Sequence, residues 1–246
     1  MLTENAKNKT LVIVGPTGSG KTGLAVEVAR ELDGEVISAD SRAIYIDMDI
    51  GTAKPMPEEM QGIPHYGINL VKPGERFTVY EFQKYCQDKI LDIRSRGKLP
   101  IIAGGTGLYV DSVVYDYHFS NVVKKTCSDR TEISSDFIMI GINWGKTLLR
   151  ERLTKRANKI FAQNIKEETK LLAEQYGWDN QAMKSNIYPI VWSYINGEID
   201  EAEAKRLSVL DDWHLARRQM TWFRRNKDII WLKLDECAEY IYNLYK

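Results

Sequence analysis

Apolar positions along the chain fall into two kinds of run. Short, β-branched stretches occur at residues 10–15, 35–38, 99–103, 136–142 and 228–232. Each is too brief for a helix and too continuously apolar for a strand with one wet face, so each reads as a strand buried on both sides. Between them the period changes. Residues 21–32 and 79–96 carry apolar side chains three and four apart, the spacing of an amphipathic helix. Alternating strands and helices require crossover connections, and crossovers make parallel sheets. The pattern therefore predicts an α/β core of five parallel strands flanked by helices. From residue 146 to 225 nearly every window is helical, interrupted at 177–180, at Pro189 and at 196–197. That half is predicted to form a helical lobe resting on the core. The predicted boundaries are 1–142 for the core, with a further core strand near 228–234, 143–226 for the lobe, and 227–246 for a strand and helix returning to the core. Residues 117–135 are polar and patternless, as a surface connection would be.

Composition adds exclusions. With 246 residues, 43% hydrophobic, 28% charged and only 7 Pro and 17 Gly, the chain is neither fibrous nor low-complexity nor disordered. No stretch approaches 18 uninterrupted apolar residues, and residues 1–9 have no apolar segment, so neither a membrane span nor a secretory leader is predicted and a cytoplasmic protein is expected. Cys86, Cys127 and Cys237 are far apart and form no Cys-x-x-Cys pair, which suits ordinary thiols better than disulfides or zinc.

Lys and Arg balance Asp and Glu at 34 each, so no global field advertises a nucleic-acid partner. The distribution is uneven all the same. Lys146, Arg150, Arg152, Lys155, Arg156 and Lys159 face a single acid, Glu151, and five basic residues lie between 217 and 227 with no acid among them. Either cluster alone reads as a solvated helix face; two in one half raise the alternative of an anion-gripping surface.

The strongest chemical signal is Gly15-Pro16-Thr17-Gly18-Ser19-Gly20-Lys21-Thr22, a complete Gly-x-x-x-x-Gly-Lys-Thr loop. It follows an apolar strand and opens a helix, the context this motif requires. The fold class is thus α/β of the P-loop NTPase type. Glycines let backbone N–H groups point at phosphate oxygens, and the following helix adds its positive end. Lys21 supplies a full charge and Thr22 a hydroxyl placed for Mg²⁺. This identifies a di- or triphosphate site, not the reaction. The strand at 99–103 ends in Gly104-Gly105-Thr106-Gly107 without a metal-holding carboxylate. The nearby acid is Asp40, at the C-terminal edge of the second strand, where ligands of open α/β sheets bind. By position alone Asp40 serves equally well as a turn or helix cap.

Five blocks in order resemble the tRNA dimethylallyltransferases: Gly15 to Thr22, Ile37-Ser-Ala-Asp-Ser-Arg42, Met48-Asp-Ile-Gly-Thr-Ala-Lys-Pro55, Gly97-Lys-Leu-Pro-Ile-Ile-Ala-Gly-Gly-Thr-Gly-Leu-Tyr109, and Ala216-Arg-Arg-Gln-Met-Thr-Trp-Phe-Arg224. The similarity covers about residues 10–116 and, more loosely, 137–234. The resemblance implies a monomeric enzyme that moves a dimethylallyl group from dimethylallyl diphosphate to an adenine amine in the tRNA anticodon stem-loop, with Mg²⁺ as cofactor. It implies diphosphate binding by Gly15, Pro16, Thr17, Gly18, Ser19, Gly20, Lys21 and Thr22, and metal binding by Thr22. It makes Asp40 the base that takes the amine proton, with Lys21, Thr22 and Arg218 as its catalytic companions and Arg218 on the departing pyrophosphate. It places Asp40, Ser41, Arg42, Ala43, Thr106 and Gln219 against the RNA. His65 also matches a family histidine, but a lone loop histidine is assigned no chemistry here. Tyr66, Tyr109, Trp192 and Trp213 could stack on bases, although core packing explains each more simply.

Two departures from the family pattern stand out. The helical insertion that usually follows the Gly-Gly-Thr-Gly-Leu-Tyr block is missing, since only residues 116–136 separate that block from the next strand. Near residue 188 the family more often has Gly-Tyr and then Glu, where this chain has Ile187 and Ile190. Reduced RNA-gripping parts keep a free adenine nucleotide open as the acceptor, as in cytokinin-type transferases. A non-catalytic nucleotide- or RNA-binding module is the third reading, and a small-molecule kinase the last.

Overall fold

The computed structural model describes residues 8–119, 134–185 and 187–246. Its centre is a six-stranded, all-parallel sheet in the order β3-β2-β4-β1-β5-β6. The strands are β1 (Thr10–Val14), β2 (Gly34–Ser38), β3 (His65–Tyr66), β4 (Leu99–Gly104), β5 (Phe137–Ile142) and β6 (Ile230–Leu232). The helices are α1 (Lys21–Glu31), α2 (Pro57–Met60), α3 (Val79–Ser95), α4 (Gly107–Val114), α5 (Lys146–Phe161), α6 (Ile165–Tyr176), α7 (Tyr188–Ile195), α8 (Glu201–Phe223) and α9 (Leu234–Tyr245).

Strand β1 is buried along its whole length, and its side chains divide between two apolar layers as the two-residue period of a strand requires. Val12 and Val14 join Phe82, Cys86 and Ile93 of α3 and Val110 and Val114 of α4. Leu11 and Ile13 face the other way, onto Leu24 and Val28 of α1 and Ile241 of α9. Lying between β4 and β5, β1 delivers the phosphate loop to the middle of the sheet's C-terminal edge. The segments leaving β2 and β4 emerge on that same edge, which is why residues 15–22, 39–44 and 104–106 meet.

Beside the core, α6 and α7 share an apolar cluster that includes Ile165, Leu172, Met183, Tyr188 and Val191. Met48, in the loop that follows β2, belongs to that cluster too. At the far edge of the sheet, Glu35 is 1% exposed and takes two hydrogen bonds from Arg96 (2.5 and 2.6 Å) and one from Tyr66 (2.9 Å). The Arg96 hydrogen bonds dominate and hold its carboxyl down to about 2. Cys86 and Cys237 are buried free thiols, and burial pushes Cys237 up to about 11. Cys127 and most of the 117–135 connection lie outside the described residues.

The structure departs from the pattern in three places. A sixth strand, β3, is only two residues long and offers no period to read. Helix α4 begins directly at the glycine-rich stretch after β4, with Thr106 as its N-cap. The helical half breaks after Tyr176 and after Ile195 as expected and also at residues 162–164, whereas Pro189 sits in the first turn of α7, where a missing N–H costs nothing.

Candidate active site

The C-terminal edges of β1, β2 and β4 open into one cleft of about 1900 Å³, roofed by α5 and α8. Thr17 to Thr22 line it; Gly15 and Pro16 are buried behind the loop. Gly18 and Gly20 have φ of +73° and +92°, a left-handed backbone that side-chain-bearing residues rarely adopt. Thr22 is exposed at the head of α1. Lys21 reaches back across the loop, donating to the Pro16 carbonyl at 2.8 Å and to Ser19 Oγ at 3.5 Å. Burial brings its ammonium down to about 8; Asp40 opposes that shift and Arg156 adds to it. A lysine held near neutrality in a cleft gains most when an anion arrives beside it.

Three consecutive residues of the loop are pinned by the second half of the chain. The Thr17 N–H donates to Gln219 Oε1 at 2.7 Å, Arg152 Nε donates to the Gly18 carbonyl at 2.7 Å, and Trp144 Nε1 donates to the Ser19 carbonyl at 2.9 Å. The Arg152 guanidinium also stacks over Trp144, 4.7 Å from its centroid. The Gln219 side chain lines the cleft with its carboxamide oxygen engaged by the loop. Helical periodicity alone could not reveal this, because the bond spans 202 residues.

Asp40 stands on the same cleft and accepts the Arg42 N–H at 2.8 Å on one oxygen, a local turn that aims its carboxylate. Thr106 accepts the Ser41 N–H at 2.9 Å and lies 3.2 Å from Ser41 Oγ, tying the loop after β4 to the loop after β2. Its hydroxyl is thus engaged within the protein. Ser41, Arg42 and Ala43 line the cleft, Ala43 with only 5% of its surface exposed. Arg218 projects from α8 into the cleft, exposed, and Trp222 lines it one turn on. Trp222 donates to the buried carboxylate of Asp111 at 2.9 Å, which fixes the end of α8 against α4.

The basic clusters divide. Arg152, Lys155, Arg156 and Lys159 share one face of α5 and line the cleft, whereas Arg150 stacks on Trp213 at 4.8 Å. Arg156 donates to the Thr52 carbonyl at 3.2 Å and pairs with Asp212 at 3.2 Å. Of the second cluster only Arg218 borders the cleft; Arg225 lies over the Trp222 ring.

One residue that pattern did not single out organises the opposite wall. Glu168 of α6 accepts the N–H groups of Asp49 (3.1 Å), Ile50 (2.7 Å) and Gly51 (2.9 Å) and the Tyr188 hydroxyl (2.8 Å). From the inner side the buried Lys54 binds the Tyr45 carbonyl, Asp49 and Asn69, all within 2.7 Å. The Asp49-to-Pro55 block is thus a rigid wall. No local signal marks this contact, because Glu168 lies 117 residues beyond Gly51.

Among the aromatic candidates, Tyr109 is buried and stacked on Phe82 at 4.1 Å, and Trp192 is stacked on Trp178 at 4.5 Å. His65 lines the cleft, with Nδ1 2.8 Å from the Ile63 carbonyl and its basicity lowered by burial. Among the described residues, no group of three His, Cys, Asp or Glu side chains gathers to hold a metal. The Thr22 hydroxyl is an exposed oxygen donor on the cleft. It fits a hard cation such as Mg²⁺, which takes few protein ligands when substrate phosphates supply others.

A phosphate loop, an acid at the neighbouring strand end and an arginine from an overlying helix define a P-loop α/β enzyme of the group-transferring kind. Comparison with known proteins agrees. The IPP transferase family model matches residues 43–136 and 119–226, and the isopentenyl transferase model matches residues 8–69. The tRNA dimethylallyltransferase of Acetivibrio thermocellus is 35% identical, covering 93% of each chain, and that of Bacillus cytotoxicus is 32% identical, covering 95% of this chain and 92% of its own. The tRNA isopentenylpyrophosphate transferase structure from Bacillus halodurans superposes with a TM-score of 0.85 at 29% identity, covering 96% of this chain and 95% of that one. The corresponding Staphylococcus epidermidis structure gives 0.80 at 32%, with coverage of 95% and 96%. The chain belongs to the tRNA dimethylallyltransferase family and is a prenyltransferase.

It is a compact member. The alignment to the A. thermocellus protein runs over 291 positions against 246 residues here, so at least 45 positions of that relative have no counterpart. The two IPP transferase matches overlap at residues 119–136, the stretch that stands where the family usually carries its helical insertion.

Proposed function

We propose that this enzyme transfers the dimethylallyl group of dimethylallyl diphosphate to the exocyclic amine of an adenine beside the anticodon of tRNA. The observation that carries the reading is that the phosphate loop, Asp40 and Arg218 border one cleft although they come from three distant parts of the chain. The diphosphate would lie on the N–H groups at the head of α1, with Lys21 and Arg218 facing its charge. An adenine amine is a weak nucleophile because its lone pair is delocalised into the ring. As the nitrogen forms its bond to the allylic carbon, the carbon–oxygen bond breaks, the electron pair leaves with pyrophosphate, and the amine proton passes to Asp40. Thr22 would hold Mg²⁺, which supplies charge neutralisation for the departing pyrophosphate. The rigid wall at residues 49–55 and the loop pinned by Thr106 shape the entry for a base drawn out of an unpaired anticodon loop, where extrusion is cheap.

The acceptor is tested by offering radiolabelled dimethylallyl diphosphate and Mg²⁺ with unmodified tRNA and, in parallel, with AMP, ADP and ATP. Label in tRNA, absent with Asp40→Ala, supports the proposal. Label in a free nucleotide instead transfers the chain to the cytokinin-type reaction, and label in neither contradicts both.

A further inference from the structure

Arg218 and Arg156 line the same cleft, and the protein around them treats them differently. Among the described residues Arg218 bonds to no protein acceptor, so its guanidinium is free for a ligand. Arg156 is held at two points. Its Nη2 donates to the Thr52 carbonyl of the wall at 3.2 Å, and its Nε, shut off from solvent, faces Asp212 Oδ2 at 3.2 Å. The second contact is one of charge rather than an aligned hydrogen bond, so it lasts only while the carboxylate is there. One guanidinium thus joins α5, α8 and the wall at residues 49–55. The Arg156 and Asp212 side chains are mostly buried, 28% and 22% exposed. Burial raises the Asp212 carboxyl and Arg156 opposes that shift, with Asp211 and Asp40 adding to it. A second use for this cation lies close by. Arg152, one turn earlier on α5, already donates to the Gly18 carbonyl of the phosphate loop. A turn is about 5.4 Å, within the reach of an extended arginine. The Arg156 charge is felt at the loop, where it lowers Lys21. Without a holder, the guanidinium would be drawn to an anion lying beside Lys21.

We propose that Asp212 is a positioning residue that seats Arg156 against the Thr52 carbonyl, on the acceptor's side of the cleft, and keeps it off the diphosphate. The proposal rests on the reading of the loop as the prenyl diphosphate site and of tRNA as the acceptor. A further cation on the diphosphate, beside Lys21 and Arg218, would tighten substrate and released pyrophosphate alike, and uniform binding of that kind does not speed the chemical step. The same swing would break the bond that ties the wall to α5 and leave the entry for the base loose. Asp212 therefore divides the work of two arginines. Arg218 stays free for the leaving group, and Arg156 stays fixed at the entry.

The test combines calorimetric titration of the full chain with inorganic pyrophosphate and steady-state transfer with donor and tRNA varied separately, at fixed free Mg²⁺. Wild type is compared with Asp212→Asn, Asp212→Glu, the pair Arg156→Ala with Asp212→Ala, and Lys21→Ala. Asp212→Asn should bind pyrophosphate about three- to tenfold more tightly, the factor one uncompensated charge carries across a partly wet cleft. Its kcat/KM for tRNA should nevertheless fall by about tenfold or more, through misplacement of the entry. A purely structural role would not move the two properties in opposite directions. Asp212→Glu keeps the charge and should recover most of both. Removing Arg156 as well should cancel the gain in pyrophosphate affinity while kcat/KM for tRNA stays low. If Asp212→Asn melts without cooperativity, Asp212→Ser replaces it. Pyrophosphate affinity that is unchanged or weaker in the neutral variant, or an unchanged kcat/KM for tRNA, overturns the proposal while leaving the diphosphate site intact. Pyrophosphate binding that is absent in wild type or indifferent to Lys21→Ala overturns the diphosphate reading, and label entering a free nucleotide instead of tRNA overturns the acceptor reading; either takes this proposal with it.

Discussion

Replacing Glu168 by alanine removes the acceptor of four donors at once: the N–H groups of Asp49, Ile50 and Gly51 and the Tyr188 hydroxyl. Hydrogen bonds to a charged group contribute about 1.5–3 kcal/mol each, but not additively. The three amides border the cleft, where water replaces much of what they lose. Tyr188 is 0% exposed, so its hydroxyl bears a desolvation cost of roughly 1–3 kcal/mol when left unpaired. Together these give a destabilisation of about 3–5 kcal/mol, or a melting point lower by roughly 10 °C for a chain of this size. Urea unfolding of wild type, Glu168→Ala, Tyr188→Phe and the double variant supplies the cycle. The single Tyr188→Phe change should cost about 1 kcal/mol, and the coupling energy should exceed that of independent sites, about 0.5 kcal/mol. Transfer activity should fall in Glu168→Ala below the unfolding temperature, because the loosened wall carries the Thr52 carbonyl that holds Arg156. A Glu168→Ala protein within 1 kcal/mol of wild type, or a coupling near zero, would refute the clamp.

Other outcomes follow from the same geometry. Lys21 titrates near 8, so donor kcat/KM should decline as pH rises through that value and the loop loses its charge. Asp40→Asn should move this limb, followed by pyrophosphate binding, to lower pH, and Arg156→Ala should move it higher; an alkaline limb indifferent to both would contradict the electrostatic coupling. Gly107→Ala would set a Cβ 2.2 Å from Trp222 Cδ1 while that ring is tethered to Asp111, so activity should drop by about a hundredfold through misplacement of Arg218. Wild-type transfer rates in that variant would show that α8 tolerates the shift. Glu35 has a folded value of about 2 against an ordinary 4.5, so its stabilisation is complete above 4.5 and is lost as pH falls from 4.5 to 2. Arg96→Ala should therefore lower the melting point at pH 7 more than at pH 2; equal losses would refute that linkage. If the α5 face of Arg152, Lys155, Arg156 and Lys159 meets RNA, anticodon stem-loop binding should weaken steeply between low and moderate salt, and a flat response would contradict it.

How much of this was legible depended on distance along the chain. The buried strands announced themselves because apolar residues on both faces leave an uninterrupted run, and the phosphate loop is local in sequence. Asp40 was readable from its place at a strand end. By contrast β3 is two residues long, and its pairing with Val36 and Ile37 comes from the neighbouring strand rather than from its own period. Pro189 looked like a helix breaker because pattern does not say that a helix begins one residue before it. Glu168 was not legible, and Gln219 was named only through the resemblance, without its bond to the loop. Each acts through a hydrogen bond to backbone more than a hundred residues away, and backbone amides leave no mark in a sequence. Gly105 did leave one, as an unexplained glycine, and its reason is the Gln219 carboxamide that fills its place.

The central claim is that Asp40 serves the chemical step while the phosphate loop holds the donor. Single-turnover transfer at saturating dimethylallyl diphosphate and tRNA, measured for wild type and Asp40→Asn alongside pyrophosphate affinity at a pH well below 8, separates the two. The account predicts a rate lower by about 10²- to 10⁴-fold with pyrophosphate affinity nearly unchanged. A variant that transfers at the wild-type rate, or that fails only because it no longer binds pyrophosphate, would contradict it.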